Sequence, residues 1–335
     1  MGSERRTEVI VFDRTGEADV LRVAEVDLPP PGPGEVVLRH TAIGVNFVDI
    51  YHRRGLYPVP LPSGLGLEAV GVIEAVGPEV QGWVPGARAA YAQAPLGAYA
   101  TRRLIPAEAL VAVPDGIEDE TLAAVFLKGL TALALLRRTR PLAPGEPALF
   151  HAAAGGVGHL AGQIARASGL RLIGAARGAE KCAFARAHGY EATIDTSRED
   201  LVSTVRRLTG GAGVPVVYDS VGAATWQASL ECLRPFGMLV SFGNASGPPP
   251  PLDLRELARR GSLYVTRPTL ATYWADAETR RALVEELFAL LRSGALTPVV
   301  GGRDPLREAA RAQRDLESRR THGSLLLRPT GRASS

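Results

Sequence analysis

The chain has 335 residues, more than one typical core of ~100–200 residues holds, so two domains are expected. Hydrophobic residues make up 46% and charged residues 22%, the balance of a soluble globular enzyme and not of a disordered or fibrous chain. The net charge of +3 is spread along the chain with no basic stripe interleaved with aromatics, which argues against a nucleic-acid partner. No apolar run reaches the ~18–20 residues that span a bilayer, and the polar residues 1–7 hold no apolar signal core. The expectation is a cytoplasmic protein with no membrane partner. Lys128 and Lys181 are the only lysines among 38 cations. A coding bias toward arginine explains that better than selection for heat resistance. Two cysteines, Cys182 and Cys232, build neither a disulfide framework nor a four-cysteine zinc lobe and read as small buried hydrophobes.

Residues 8–113 read as short strands broken by turn residues. The prolines and glycines of 29–34 form a stiff turn before an alternating strand at 35–39. A second strand fills 69–76 and stops at Gly77-Pro78. Such punctuation predicts a small β-barrel. Beyond Glu120 the pattern changes, and residues 122–138 carry apolar side chains at helical spacing. Strands then alternate with helices: a strand at 148–152, a helix at 157–168, a strand at 172–175, a helix at 180–188, a strand at 214–219, a helix at 226–233 and a strand at 238–242. That rhythm predicts a doubly wound parallel sheet with right-handed crossovers. A long helix follows at 277–293. A last strand at 323–327 should return to the N-terminal domain, with a frayed tail from Arg328 onward.

The strongest chemical signal is the turn from His151 to Gly158, which follows an apolar strand and opens a helix. Gly155 allows the backbone close to a diphosphate, and Gly158 lets the helix pack on the strand. The helix tip offers its N–H groups and partial positive charge to phosphate. Ala153 stands where a glycine is usual. A site for NAD would carry an acid after the second strand to hold a ribose hydroxyl. Here that strand runs into Arg177, with Lys181 one turn further on, so a 2′-phosphate and therefore NADPH is expected.

The chain resembles the quinone oxidoreductase family (NADPH:quinone reductases and zeta-crystallin-like proteins) of the medium-chain dehydrogenase/reductase superfamily. The carriers are AIGVNFVDIY at 42–51, RGLYP at 54–58, PSGLGLE at 62–68, FLKGLT at 126–131, AAAGGVG at 152–158, VYDSVG at 217–222, VSFGN at 240–244 and GSLYVTRP at 261–268. The resemblance implies an α/β fold: a GroES-like β-barrel catalytic domain over 1–125, completed by 268–335, around a Rossmann doubly wound parallel-sheet domain over 126–267. It also implies a homodimer built by extending the sheets across two subunits. By the family pattern Asn46, Tyr51 and Thr131 face the nicotinamide end. Gly156, Val157, Arg177 and Lys181 contact the phosphates or the turn that holds them. Ser220, Phe242, Asn244, Ser246, Val265, Arg267 and Arg319 line the rest of the cofactor groove. Thr196 stands where relatives place a tyrosine near the 2′-phosphate.

Zinc-dependent members of the superfamily ligate catalytic zinc with a cysteine and a histidine where this chain has Asn46 and Leu67. With about three protein ligands needed, no metal site is expected. His40, His52, His151, His159, His188 and His322 show no ligand spacing. Without a metal Lewis acid the acceptor should be a quinone or conjugated carbonyl, whose charge spreads to an oxygen that hydrogen-bond donors stabilise. Tyr51 is the candidate donor, and Asn46 would orient the substrate or the nicotinamide ribose. Hydride addition and one-electron quinone reduction both stay open. So do two other readings: an enoyl thioester or alkenal reductase, and a cofactor-binding RNA-binding or structural relative.

Overall fold

The computed structural model describes residues 6–93 and 95–329. The chain divides into two compact units, Met1–Leu127 with Pro298–Ser335, and Lys128–Thr297. The first unit opens with strands β1 (Arg6–Phe12), β2 (Arg22–Asp27) and β3 (Glu35–Val45), helix α1 (Phe47–Arg53), and strands β4 (Ser63–Gly64), β5 (Ala69–Val76), β6 (Arg88–Tyr91), β7 (Arg102–Pro106) and β8 (Val111–Ala112). The boundary between units falls within helix α2 (Asp119–Ala134). Next come β9 (Pro147–His151), α3 (Gly156–Ala167), β10 (Arg171–Ala176), α4 (Ala179–Ala187), β11 (Ala192–Asp195), α5 (Leu201–Leu208), β12 (Val214–Asp219), α6 (Trp226–Cys232) and β13 (Leu233–Ser241). The second unit ends with α7 (Leu254–Arg259), β14 (Tyr264–Thr266), α8 (Leu270–Ala275) and α9 (Ala277–Arg292). Strand β15 (Val300–Pro305), helix α10 (Ala309–Glu317) and strand β16 (Ser324–Arg328) complete the first unit.

Strand β3 is the spine of the first unit. Its opening residues Glu35 to Arg39 pair with β7, its closing residues Ile43 to Val45 pair with β16, and β5 runs along its other edge. Apolar residues of β3 (Val36, Leu38, Ile43 and Val45) meet Ile10 and Phe12 of β1 and Leu325 and Leu327 of β16 in one buried cluster. The last strand therefore returns to the N-terminal unit as its pattern predicts. It also runs one residue further than expected: Arg328 lies in the strand, opposite Pro305, and residues 330–335 of the expected tail lie outside the described residues.

In the second unit six strands stand in the order β11-β10-β9-β12-β13-β14, and every pairing is parallel. Counted from β9, this is the order 3-2-1-4-5-6 of a doubly wound dinucleotide sheet, with its reversal between β9 and β12. Helices cover both faces of such a sheet, and all six residues of β12 are buried.

The second unit reaches Thr297, whereas the chain was expected to re-enter the first at 268. The reason is packing. Helix α9 buries Leu283, Val284, Leu287 and Phe288, and its Glu286 accepts from Arg137 Nε at 2.9 Å. Gln163 of α3 donates to the Thr297 carbonyl at 3.1 Å and accepts from its N–H at 2.9 Å.

Candidate active site

Ala152 leaves β9 in the left-handed region, with φ of 51°. Ala153 then donates from its N–H to the Ala175 carbonyl at 3.1 Å, which ties the turn to β10. Gly155 precedes α3 in extended backbone and has no side chain with which to cap it, so the helix tip keeps its N–H groups for an outside anion. A Cβ on Gly158 would lie 2.3 Å from the Ala152 oxygen, so only glycine lets the helix sit this close to the turn. The alanine at 153 has a compensation on the neighbouring strand. A Cβ on Gly174 would lie 2.8 Å from the Ala153 methyl, so glycine there leaves room for it.

The sequence-predicted residues of the second unit other than Thr131, which lies on α2, gather where parallel strands end. Gly155, Gly156, Val157 and Gly158 follow β9, Arg177 and Lys181 follow β10, and Thr196 follows β11. Ser220 follows β12, Phe242, Asn244 and Ser246 follow β13, and Val265 and Arg267 lie at β14. Arg177 is exposed and Lys181 half-buried. Thr196 is exposed, and both its N–H and its hydroxyl donate to the Ala176 carbonyl, at 2.9 and 3.3 Å. Arg267 donates from Nη1 to the Ser241 and Gly243 carbonyls at 3.2 and 3.0 Å, clamping the end of β13. Phe242 packs its ring 5.7 Å from that of Phe150.

Asp195 is a residue that sequence reasoning missed. It ends β11 and accepts from Gly178 N–H at 2.7 Å and from the Ser197 hydroxyl at 2.6 Å. The Ser197 hydroxyl, then the Gly178 and Ser197 N–H groups, hold its carboxyl below the usual range. Asp195 is thus spent on shaping the turn at Gly178, beside Arg177.

In the first unit Asn46 begins α1 and Tyr51 lies one turn on; both are buried. Asp49 accepts from the Asn46 N–H and the Tyr99 hydroxyl, each at 2.9 Å. Asn46 Nδ2 donates to Glu68 at 2.8 Å, and the other oxygen of Glu68 accepts from Leu127 N–H at 2.7 Å. Tyr51 meets Tyr57 edge-on, with centroids 5.3 Å apart. Arg53, fully buried, anchors the helix by donating to Gly16 O, Gln313 Oε1 and Glu317 Oε1 at 3.1, 2.6 and 2.9 Å. Arg319 is exposed on the turn after α10, away from these residues in sequence but within the same unit.

The histidines serve the fold. His40 pairs with the Ala100 carbonyl at 2.8 Å and the Tyr91 hydroxyl at 3.0 Å, and burial pushes its imidazole down to about 3. Burial pushes His159 down to about 4, with its Nδ1 2.9 Å from the Gly155 carbonyl.

Two family models match. Residues 32–115 match the alcohol dehydrogenase GroES-like domain and residues 156–306 the zinc-binding dehydrogenase domain. With the parallel sheet of the second unit, they define a GroES-like domain plus a Rossmann domain. A quinone oxidoreductase of Pseudomonas aeruginosa strain PAO1 is 51% identical over 321 residues, covering 96% of this chain and 99% of that protein. A 2-haloacrylate reductase of a Burkholderia species is 44% identical over 331 residues, covering 95% and 98%. The crystal structure of Escherichia coli quinone oxidoreductase complexed with NADPH superposes with a TM-score of 0.94 at 45% identity, covering 96% of this chain and all of that one. The chain belongs to the quinone oxidoreductase family of the medium-chain dehydrogenase/reductase superfamily.

Although one family model is named for zinc, the residues here do not fit that metal. Asn46 gives its amide nitrogen to Glu68, and Leu67 has no ligating atom. Among the described residues no group of three or more His, Cys, Asp or Glu could hold a metal ion.

The turn geometry sets one test. Gly158→Ala places a carbon 2.3 Å from the Ala152 oxygen, which should cost about 1–3 kcal/mol of stability. Thermal melting should show a lowered midpoint for the second unit; an unchanged midpoint would rule out close packing at Gly158.

Proposed function

We propose that the chain uses NADPH to reduce quinones or conjugated carbonyl compounds, and does so without zinc. The observation that carries this reading is the pair Arg177, just after β10, and Lys181, in the first turn of α4, at the strand-end edge where a dinucleotide binds. Two cations there attract a 2′-phosphate, and Asp195 at the end of β11 is committed to the Gly178 N–H and to Ser197. The NADPH complex of the E. coli relative supports the same cofactor.

NADPH, when bound, supplies the hydride. The N–H groups at Gly156 to Gly158, at the tip of α3, hold its diphosphate. Ser220, Phe242, Asn244, Ser246, Val265 and Arg267 line its groove, and Thr196 steadies the turn beside the 2′-phosphate. By the family pattern Thr131 serves the nicotinamide end; the same pattern gives Asn46 a nicotinamide role, and Glu68 fixes its amide. Tyr51 donates from its hydroxyl to the acceptor oxygen. In a conjugated acceptor negative charge spreads to that oxygen, so one donor does work that a simple aldehyde would ask of a metal.

The reading includes a homodimer joined along β14. That strand is last in its sheet, with Tyr264 55% exposed and Phe236 and Leu254, 67% and 73% exposed, in the same unit. An open edge with apolar side chains favours pairing with a second copy.

NADPH oxidation screened against quinones, alkenals, 2-haloacrylate and enoyl thioesters should be fastest with a quinone. A conjugated acid or thioester outpacing every quinone would move the assignment to an enoyl reductase. Arg177→Ser with Lys181→Gln should raise the KM for NADPH about tenfold or more while leaving that for NADH nearly unchanged; equal effects would remove the 2′-phosphate from the account. Tyr51→Phe should lower kcat about 10- to 100-fold, and an unaltered kcat would exclude the phenol as donor.

A further inference from the structure

A histidine, a serine and an aspartate meet inside the second unit, and all three are buried: His151 at 2% exposure, Ser229 at 0% and Asp219 at 1%. His151 Nε2 lies 2.9 Å from Ser229 Oγ, which lies 2.7 Å from Asp219 Oδ2. This is not a nucleophilic triad. Ser229 has one hydroxyl hydrogen, and it points to the carboxylate, which can only accept. The serine oxygen therefore accepts from His151, and its full burial keeps any substrate away.

What the carboxylate holds is more informative. Oδ1 accepts from the N–H groups of Val221 and Gly222 at 2.7 and 3.1 Å. Oδ2 accepts from the Thr225 hydroxyl as well as Ser229, each at 2.7 Å. The loop so anchored carries Ser220 and supports the next loop. Val221 O accepts from the Ser246 N–H and hydroxyl at 2.8 and 2.7 Å, Ser220 O accepts from Ala245 N–H at 3.2 Å, and Phe242 N–H donates to Asp219 O at 2.8 Å. Gly222 has φ of 90°, and a Cβ there would lie 2.4 Å from Gly247 O, so the two loops are in direct contact. On the other side His151 is the last residue of β9, and the glycine turn begins at the next residue.

We infer that Asp219 is a positioning residue for the cofactor groove, coupling the glycine turn after β9 to the loops after β12 and β13 through His151, Ser229 and the Val221 and Gly222 N–H groups. It touches no ligand itself. The inference rests on the proposed dinucleotide groove and assigns it an internal brace. Burial pushes the carboxyl up, but His151 and the hydrogen bonds from Ser229, Thr225 and Gly222 outweigh it, so the acceptor stays ionised at neutral pH.

The test uses the full chain and three variants, Asp219→Asn, Ser229→Ala and, as a control outside the network, Val217→Ala on the same buried strand. Each is measured for NADPH dissociation constant by nicotinamide fluorescence, for melting midpoint without cofactor, for kcat at saturating NADPH, and for amide exchange over 219–225. Asp219→Asn should weaken NADPH about tenfold, on the scale of a lost buried charged hydrogen bond, and speed exchange at Val221 and Gly222. Ser229→Ala, which removes the bonds to His151 and Asp219 and leaves the other three donors to Asp219 in place, should weaken NADPH several-fold with kcat retained. Val217→Ala should lower the melting midpoint and leave the dissociation constant in place. If Asp219→Asn does not fold, Ser229→Ala decides alone. Unchanged affinity in both network variants, or a loss in Val217→Ala equal to theirs, would overturn the brace while leaving the cofactor assignment standing. No NADPH binding by the wild-type chain would instead overturn the proposed function and the brace with it.

Discussion

The close approach of α3 to the turn before it governs the rest of the second unit. With no Cβ at Gly158, the helix starts almost on top of the Ala152 carbonyl, and its first N–H groups are presented at the end of β9. Because every pairing in that sheet is parallel, each neighbouring strand also ends at the same edge and delivers its own loop there. Parallel topology concentrates chemistry in a way an antiparallel sheet cannot, since alternate strands of the latter end on opposite sides. The residues of the second unit proposed to hold the dinucleotide, Thr131 apart, are scattered from 155 to 267 in sequence, and this edge is what gathers them.

Charge then selects among ligands that fit such an edge. The diphosphate needs only N–H groups and a helix dipole. In the proposed reading the 2′-position falls to Arg177, exposed at the end of β10, while Asp195 is committed to Gly178 and Ser197. An exposed cation is a weak stabiliser of the fold. In the proposed reading its value lies in recognition of the 2′-phosphate, a role that suits a position in solvent.

Much of this was legible in the sequence where burial is continuous. Strands β5 and β12 have the bounds their apolar runs predict: all of β12 is buried, and β5 is buried over Ala69 to Gly71 and at Ile73 and turns Glu74 to solvent. Elements whose buried faces are small or polar escaped notice. Helix α10 buries Ala309, Ala312 and Gln313, a face with no apolar periodicity, and Gln313 is inside because Arg53 donates to it. Helix α1 likewise buries Asp49 and Arg53. Helix α5 had a readable start in Asp200, which accepts from Ser203 N–H at 2.8 Å, but its Ser and Thr content masks it. The return at Pro298 was hidden for another reason: side chains of α9 and Thr297 find partners in α3 and beside α2, and no composition shift marks where such pairing stops.

Both units solve the same problem with a buried carboxylate. Removing an ionised acid from water is costly unless several donors converge on it. Glu68 collects Asn46 Nδ2 and Leu127 N–H, Asp49 collects Asn46 N–H and the Tyr99 hydroxyl, and Asp219 collects four donors. Replacing any of them by a hydrocarbon could keep the volume but not the direction. A carboxylate accepts and never donates, so it dictates which atom of a neighbour faces it. Asn46 must turn its nitrogen, not its oxygen, to Glu68, and Ser229 must spend its proton on Asp219. Orientation is thereby settled by hydrogen-bond sign, before any ligand arrives, and that pre-setting is what a nicotinamide enzyme without a metal to align its reactants requires of its protein.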